Sequence, residues 1–337
     1  MRAIVQTEYG TADVLRLGEI ERPAIAADEV LVEVRAAGLD RGTWHLMAGR
    51  PYAARLAIGL RAPKNPVPGL DASGVVVAIG GAVTRFRPGD EVFGISKGSY
   101  AEFAAACESK LAPKPSNLTF EQAAAVPVSG MTALRGLTDV GRLQAGQRVL
   151  IIGASGGVGS YAVQLAKALG AEVTGVCSTS KLDLVVSLGA DYVIDYNHDD
   201  FANGESRYDL ILDIGGDSAL SRLRRALTRR GTLVIVGGEG GDRVTGMGRQ
   251  VRALALSPFV SQRLTMLAPK EHYTVLDRLA NMIQDGQLVP AIERTYPLDE
   301  MPDAMRHLQE GRARGKLVIT IGPEGSSPIL PPPPNGV

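Results

Sequence analysis

The chain has 337 residues, with 36 Lys plus Arg balanced by 36 Asp plus Glu, 40 Gly, 20 Pro and only 2 Cys. This length exceeds what one hydrophobic core usually serves, so we predict two domains. The zero net charge excludes an overall attraction to nucleic acids or acidic membranes. Because Cys107 and Cys177 form neither a disulfide framework nor a zinc lobe, we expect a protein of the reducing cytoplasm. The N-terminal residues include a charge before any apolar core, and no run approaches the roughly 20 apolar residues of a membrane span, so we expect no signal peptide and no membrane partner.

The first 110 residues have the pattern of short strands between turns rich in glycine, proline and aspartate. Valines alternate at 30, 32 and 34, an apolar run covers 73–80, and a turn at 87–90 leads into a strand at 91–95. We therefore predict an all-β first domain.

After residue 127 the pattern changes to strand, glycine turn and helix in repetition. The predicted strands are 148–152, 172–177, 192–194, 210–213 and 232–236. This alternation is typical of an α/β domain, in which right-handed crossovers wind a parallel sheet.

The alternation ends near residue 264. Helices are predicted at 271–284 and 301–310, followed by a last strand at 316–321. We expect this segment to return to the first domain, giving a β-rich domain at 1–126 completed by 264–322 and a doubly wound parallel-sheet domain at 127–263. Residues 323–337 include four consecutive prolines, which predict a flexible tail.

The strongest chemical signal is the stretch 149–159, where an apolar strand runs into a glycine turn that opens a helix. Glycines let the backbone approach a diphosphate, whose charge meets the free N–H groups at the helix N-terminus. Because strand, turn and helix occur together, a merely tight turn is a poor explanation, and we predict a dinucleotide site. The residues expected to hold the diphosphate are Ser155, Gly156, Gly157, Val158 and Gly159.

The end of the second strand of this domain bears on the choice between NAD and NADP. An NAD site places Asp or Glu there for the ribose 2′-hydroxyl, but residues 177–181 contain no acid. Hydroxyls and an ammonium group favour a 2′-phosphate, so Ser178 and Lys181 are expected to bind NADP(H). The alternative is that Ser180 caps the next helix and that Lys181 is solvated.

Together these motifs resemble the medium-chain dehydrogenase/reductase superfamily, and within it the zinc-independent quinone oxidoreductase-like branch. The resemblance covers residues 1 to 322. It is carried by 36–38, 68–76, 86–92, 98–102, 129–133, the glycine turn and 315–318. It implies a GroES-like catalytic domain, a Rossmann domain, a cofactor in the cleft between them, and a homodimer.

Zinc-dependent members of this family need a set of metal ligands. By resemblance, their cysteine falls on Asp40, their histidine on Leu70 and their third ligand near Val128. Leucine and valine cannot bind a metal, and the histidines at 45, 198, 272 and 307 form no pair with ligand spacing, so no metal is expected.

Without a metal, the reaction that the resemblance implies is hydride transfer from NADPH to a quinone or an α,β-unsaturated carbonyl. Two alternatives stay open. One is a zinc-free alcohol or carbonyl oxidoreductase, and the other is a non-catalytic NADPH-binding protein with a regulatory or RNA-binding role.

The resemblance suggests three catalytic candidates. Tyr52 lies in a loop similar to one where related reductases carry a cleft tyrosine, and would donate a hydrogen bond to the substrate; a packing aromatic is the alternative. Asp40 would bond the nicotinamide ribose or cap the turn that follows it. Thr132 would reach the nicotinamide or be an ordinary helical residue. Further cofactor contacts are expected at Tyr196, Asp213, Ile214, Gly237, Gly238 and Lys316.

The zero net charge conceals a local asymmetry. Residues 183–217 contain nine acids and one Arg, whereas residues 220–263 contain nine Arg and two acids. We interpret the arginines at 222–230 as a solvated face, with a nucleic-acid patch as the less favoured alternative.

Overall fold

The computed structural model describes residues 1–203, 207–237, 247–268 and 271–322, so the predicted tail lies outside the described residues. Its strands are β1 (Arg2–Val5), β2 (Arg16–Glu19), β3 (Glu29–Leu39), β4 (Asp71–Ile79), β5 (Glu91–Ile95), β6 (Phe103–Cys107), β7 (Leu111–Pro113), β8 (Arg148–Ile152), β9 (Glu172–Cys177), β10 (Tyr192–Asp195), β11 (Tyr208–Asp213), β12 (Leu227–Ile235), β13 (Arg263–Met266), β14 (Ile292–Pro297) and β15 (Lys316–Thr320). Its α-helices are α1 (Arg41–Ala48), α2 (Arg55–Ile58), α3 (Phe120–Ala124), α4 (Pro127–Arg135), α5 (Gly157–Ala168), α6 (Leu182–Ser187), α7 (Leu220–Ala226), α8 (Gly248–Leu256), α9 (Tyr273–Gln284) and α10 (Met301–Gln309).

The sheet of the first domain has the strand order β14-β15-β3-β4-β5-β7, and β6 also pairs with β3. Its pairs are antiparallel except for β14 with β15, which run parallel. The alternating valines of β3 at 30, 32 and 34 are all buried on one face, as the period of two predicts. The C-terminal strands β14 and β15 complete this sheet.

The expectation of an all-β first domain is wrong at residues 41–48, which form α1, and at residues 55–58, which form the short helix α2. Asp40 caps α1 by accepting a hydrogen bond from the Thr43 N–H at 2.9 Å. Gly49 ends it in the left-handed region at φ 60°. Both residues are the usual helix-start and helix-stop signals, so the sequence contained the information for this helix.

The second domain has one parallel sheet with the order β10-β9-β8-β11-β12-β13. This is the doubly wound arrangement that the alternating pattern predicted. The chain reverses its direction of winding between β8 and β11, which makes the carboxyl ends of these strands the switch point of the sheet. β13 was not predicted, and the boundary expected after residue 263 falls inside it.

The two sheets share one continuous hydrophobic cluster. It includes Val149 of β8, Tyr161 of α5, Leu276 of α9 and Phe93 of β5. Because α9 contacts both α4 and β7, the two domains meet along a packed junction. No helix in the described ranges is long and apolar enough to cross a membrane.

Candidate functional site

The predicted glycine turn joins β8 to α5 at the switch point. Gly153 adopts a φ of 86°, and its N–H donates to the Val176 carbonyl at 3.1 Å, which fixes the turn against β9. A Cβ on Gly159 would lie 2.1 Å from the Gly153 carbonyl oxygen, so the helix can approach the strand only without a side chain there.

The outer side of this turn is open. Gly156 is the N-cap of α5, and the nearest atom to a Cβ placed on it would be 3.6 Å away. The first N–H groups of the helix, at 157–159, have no acceptor within the helix. The turn thus leaves N–H groups and open space at residues 155–159, where the sequence predicts a diphosphate.

The C-terminal segment lies directly behind this turn. The Gly315 N–H donates to the Ser155 carbonyl at 2.8 Å, and a Cβ on Gly157 would lie 3.0 Å from Cδ of Lys316. Lys316 is expected near the cofactor by the resemblance, and its side chain lies buried beneath the glycine turn.

Lys316 forms a fully buried ion pair with Asp71, a residue that the sequence reasoning did not single out as functional. The Lys316 Nζ lies 3.2 Å from Asp71 Oδ2, with side-chain exposures of 1% and 0%. Asp71 Oδ1 accepts from the Val128 N–H at 2.9 Å, so the pair joins β4, β15 and α4. Burial raises the pKa of Asp71 to about 7, against the opposing effect of the Lys316 charge.

The residues expected to hold the adenosine phosphate gather at the carboxyl ends of β9 and β10. Ser178 and Lys181 follow β9, and the Tyr196 N–H donates to the Cys177 carbonyl at 3.1 Å, which brings these positions together. The Lys181 ammonium donates to the carbonyls of Gly311 and Ala313, both at 2.9 Å.

Sequence reasoning missed Arg314, which joins the same group. Its guanidinium donates to the Ser180 carbonyl at 3.1 Å and to Asp183 Oδ2 at 2.6 Å. A basic residue just before Gly315 was a weak signal, because nothing local shows that this segment reaches β9.

Sequence reasoning also missed an acidic residue, Asp195, at the carboxyl end of β10. Asp195 ends β10 in register with Cys177, so its carboxyl lies beside the end of β9. It accepts from the hydroxyl of Thr179 and from the N–H of Asn197, and the Thr179 hydrogen bond lowers its pKa. Its oxygens are therefore already engaged by protein donors.

The opposite half of the site is formed by the ends of β11 and β12. Asp213 is fully buried, and the next residue, Ile214, donates its N–H to the Ile152 carbonyl at 3.1 Å. The N–H of Gly237 lies 3.4 Å from the Asp213 carbonyl, so these predicted positions are neighbours. Gly238 lies outside the described residues.

A cleft of about 230 Å³ opens beside this half of the site, at the junction of the two domains. Ser129, three residues before Thr132 on α4, lies 3.2 Å from a Cβ placed on Gly157, so α4 runs from the glycine turn into the cleft. The cleft is lined by Leu70, Val128, Met131, Thr132, Arg135, Val236, Leu267, Ala268 and Glu271. Among the catalytic candidates, Thr132 lines this cleft.

The structure places the other two catalytic candidates outside this lining. Asp40 caps α1 through Oδ1, while its buried Oδ2 has no hydrogen-bond partner among the described atoms. Tyr52 is 42% exposed, and the guanidinium groups of Arg50 and Arg55 lie 5.9 and 4.9 Å from the centre of its ring.

The donor set around the cleft is poor in metal ligands. Within the described ranges, no three His, Cys, Asp or Glu side chains come close enough together to hold a metal ion. Leu70 and Val128, at two of the positions that zinc ligands occupy by resemblance, present apolar side chains to the cleft.

The arginine-rich stretch is partly used inside its own domain. Arg222 pairs with Asp200 at 2.7 Å, and the Arg224 Nε donates to the side-chain oxygen of Gln262 at 3.0 Å. These contacts favour the interpretation that the stretch is a solvated, internally paired face.

Comparison with known proteins matches residues 26–116 to the alcohol dehydrogenase GroES-like domain and residues 188–319 to the zinc-binding dehydrogenase family. The tomato (Solanum lycopersicum) 2-methylene-furan-3-one reductase is 33% identical over 95% of this chain and 79% of its own length. The chloroplastic NADPH-dependent alkenal/one oxidoreductase of Arabidopsis thaliana is also 33% identical, over the same shares.

The structure of the Escherichia coli quinone oxidoreductase complexed with NADPH superposes with a TM-score of 0.82 at 26% identity, covering 95% of this chain and 100% of that one. The predicted GroES-like and Rossmann folds are thereby confirmed. With relatives that are 33% identical over 95% of its length, the chain belongs to the medium-chain dehydrogenase/reductase superfamily.

Proposed function

We propose that the chain is an NADPH-dependent oxidoreductase that transfers hydride to quinones or α,β-unsaturated carbonyls. The observation that carries the proposal is the junction of an open glycine turn with an apolar cleft in which Thr132 supplies a hydroxyl. The relatives named as enone and alkenal reductases, and the superposed quinone oxidoreductase, support it.

The chain offers a distinct group for each charged part of the cofactor. The N–H groups at 157–159 would hold the diphosphate, and the cations of Lys181 and Arg314 would hold the 2′-phosphate. Both cations now bind carbonyls or Asp183, so the phosphate would replace contacts that already position them.

When bound, NADPH supplies the hydride. Apolar side chains form most of the cleft lining, and the Thr132 hydroxyl would donate to the oxygen that gains negative charge. In an enone, the β-carbon accepts hydride, the carbonyl oxygen takes the charge, and a proton from solvent at the α-carbon completes the saturated product. No step requires a metal, which agrees with the apolar side chains of Leu70 and Val128.

The test is consumption of NADPH by the purified chain with a quinone, an enone or a simple alcohol–ketone pair, each with and without a metal chelator. We expect turnover with a quinone or an enone that is unaffected by the chelator. Turnover with only the alcohol–ketone pair would support the alcohol oxidoreductase alternative. Binding of NADPH without turnover of any substrate would support a non-catalytic role.

Cofactor choice gives a prediction for Lys181. We expect Lys181→Ala to weaken NADPH binding about 10- to 100-fold, because a charge-assisted hydrogen bond contributes about 1.5–3 kcal/mol, and to leave NADH binding nearly unchanged. Fluorescence titration with each cofactor measures both affinities.

The matched control for this prediction is Lys167→Ala. Lys167 is also on the second domain, but it pairs with Asp191 at 2.7 Å. Equal losses for NADH and NADPH in Lys181→Ala would show that the lysine acts only through its contacts with Gly311 and Ala313.

Tyr52 lies outside the lining of the cleft, and we propose it as a second donor to the substrate oxygen beside Thr132. Tyr52→Phe removes only its hydroxyl, and we expect kcat/KM to fall about tenfold, the effect of one hydrogen bond of about 1.4 kcal/mol in the transition state. Tyr192→Phe is the control, since Tyr192 is 58% exposed on β10. An unchanged kcat/KM in Tyr52→Phe would leave Thr132 as the remaining donor.

We also propose, from the family resemblance, that the protein is a cytoplasmic homodimer. Light scattering of the purified chain would measure the assembly, and a monomer at working concentration would contradict it.

A further inference from the structure

The carboxyl end of β11 carries a buried charge that the proposed reaction does not use. Asp213 has an exposure of 0% and ends β11 in register with Ile152 of β8 and Ile235 of β12. It therefore lies at the switch point of the sheet, below the path that a dinucleotide takes in this fold. An unpaired carboxylate there would repel the cofactor's diphosphate.

Arg249 of α8 is the cation that meets this carboxyl. Its guanidinium lies 2.9 Å from Asp213 Oδ2, and it donates to the Gly237 carbonyl at 3.0 Å and to the Ser218 carbonyl at 3.3 Å. One side chain, 16% exposed, thus ties the segment after β11 to the end of β12.

These tied segments form one wall of the site. Gly215 donates its N–H toward the Ile152 carbonyl at 3.4 Å, and a Cβ on Gly153 would lie 3.1 Å from the Gly215 nitrogen. The position of residues 213–216 therefore determines the space above the glycine turn. A shift of this loop would alter the surface that the nicotinamide half of the cofactor contacts.

We propose that Arg249 is a positioning residue for cofactor binding, which neutralises Asp213 and holds the 213–218 loop and Gly237 in the geometry that accepts the nicotinamide half. The inference rests on the proposed function, because it requires that the chain bind a nicotinamide dinucleotide.

The groups that face Asp213 set the expected pH dependence. Burial raises the pKa of Asp213 to about 7, Arg249 opposes that rise, and Asp217 of the same loop adds to it, while β8 and β12 present Ile152 and Ile235. Removal of Arg249 raises this pKa further. The carboxyl of such a variant is then neutral in mild acid, and it becomes ionised and repulsive only when the pH exceeds this higher pKa.

The experiment measures NADPH affinity of the full chain by fluorescence titration at pH about 6 and about 9.5, because the higher value must exceed the Asp213 pKa of the variant, which lies above the wild-type value of about 7. We expect Arg249→Met to weaken binding about tenfold or more at the higher pH and clearly less at the lower pH. Adding Asp213→Asn to this variant should restore affinity to within about threefold of wild type at both pH values, because the repelling charge is gone.

Two further variants keep the test decisive. Arg252→Met removes an exposed arginine from the same helix and should bind NADPH as wild type does. Arg249→Lys keeps the charge but loses the forked geometry, and should bind with intermediate affinity at the higher pH, which tests the proposal if Arg249→Met does not fold.

Several results would overturn the inference. One is wild-type affinity for NADPH in Arg249→Met at the higher pH. Another is an equal loss of affinity at both pH values that Asp213→Asn does not rescue. If only Arg249→Lys folds, wild-type affinity in that variant would overturn the inference as well. If wild type itself fails to bind NADPH, the proposed function fails instead, so the two failures are distinguishable.

Discussion

Lys316→Met should lower the free energy of unfolding by about 3–5 kcal/mol, because it leaves the Asp71 carboxyl buried without its partner. The pair is fully buried and joins three elements from both domains, so no solvent can compensate the lost charge. Denaturant unfolding followed by circular dichroism measures the change.

The loss should depend on pH in a defined direction. The pKa of Asp71 is about 7 in the folded protein and about 4 when unfolded, so the folded state holds the extra proton and this group's contribution to stability falls as pH rises through that window. Without Lys316 the folded pKa rises further and the window extends upward. The difference between wild type and variant should therefore be larger at pH about 8 than at pH about 5.

The control for this prediction replaces both members of the pair. Asp71→Leu combined with Lys316→Met places apolar groups against one another and should recover most of the lost stability. A Lys316→Met variant as stable as wild type at the higher pH would show that the carboxyl finds another partner.

Gly159→Ala should reduce NADPH affinity at least about tenfold, because the added Cβ must push the turn open. The new atom would lie 2.1 Å from the Gly153 carbonyl oxygen and 2.7 Å from the backbone of Ala154, neither of which can move without opening the turn. Titration of NADPH binding, together with the melting temperature, separates lost affinity from lost folding.

Gly81→Ala is the matched control, since a Cβ there meets no atom within 4 Å. It should bind NADPH and melt as wild type does. A Gly159→Ala variant with unchanged affinity would mean that α5 can retreat from β8 without disturbing the phosphate site.

Local signals account for most of what could be predicted. The strand, turn and helix at 148–168 are contiguous in sequence, so their glycines and apolar stripe were enough to predict the structure of this segment. The helix α1 has equally clear caps in Asp40 and Gly49. The alternating valines before it are typical of strands, which is why strands were expected throughout this part of the chain. Strand β13 has only four residues, too few to show a period.

The sequence by itself determined the glycine turn, the doubly wound sheet and the family, because each depends on residues close together in the chain. Only the tertiary structure decided what supports that turn. Asp71 and Lys316 are 245 residues apart, and Lys181 lies 130 residues from the Gly311 carbonyl it binds. No local pattern selects such partners, since burial and charge pairing depend on how the C-terminal strands return beneath the glycine turn.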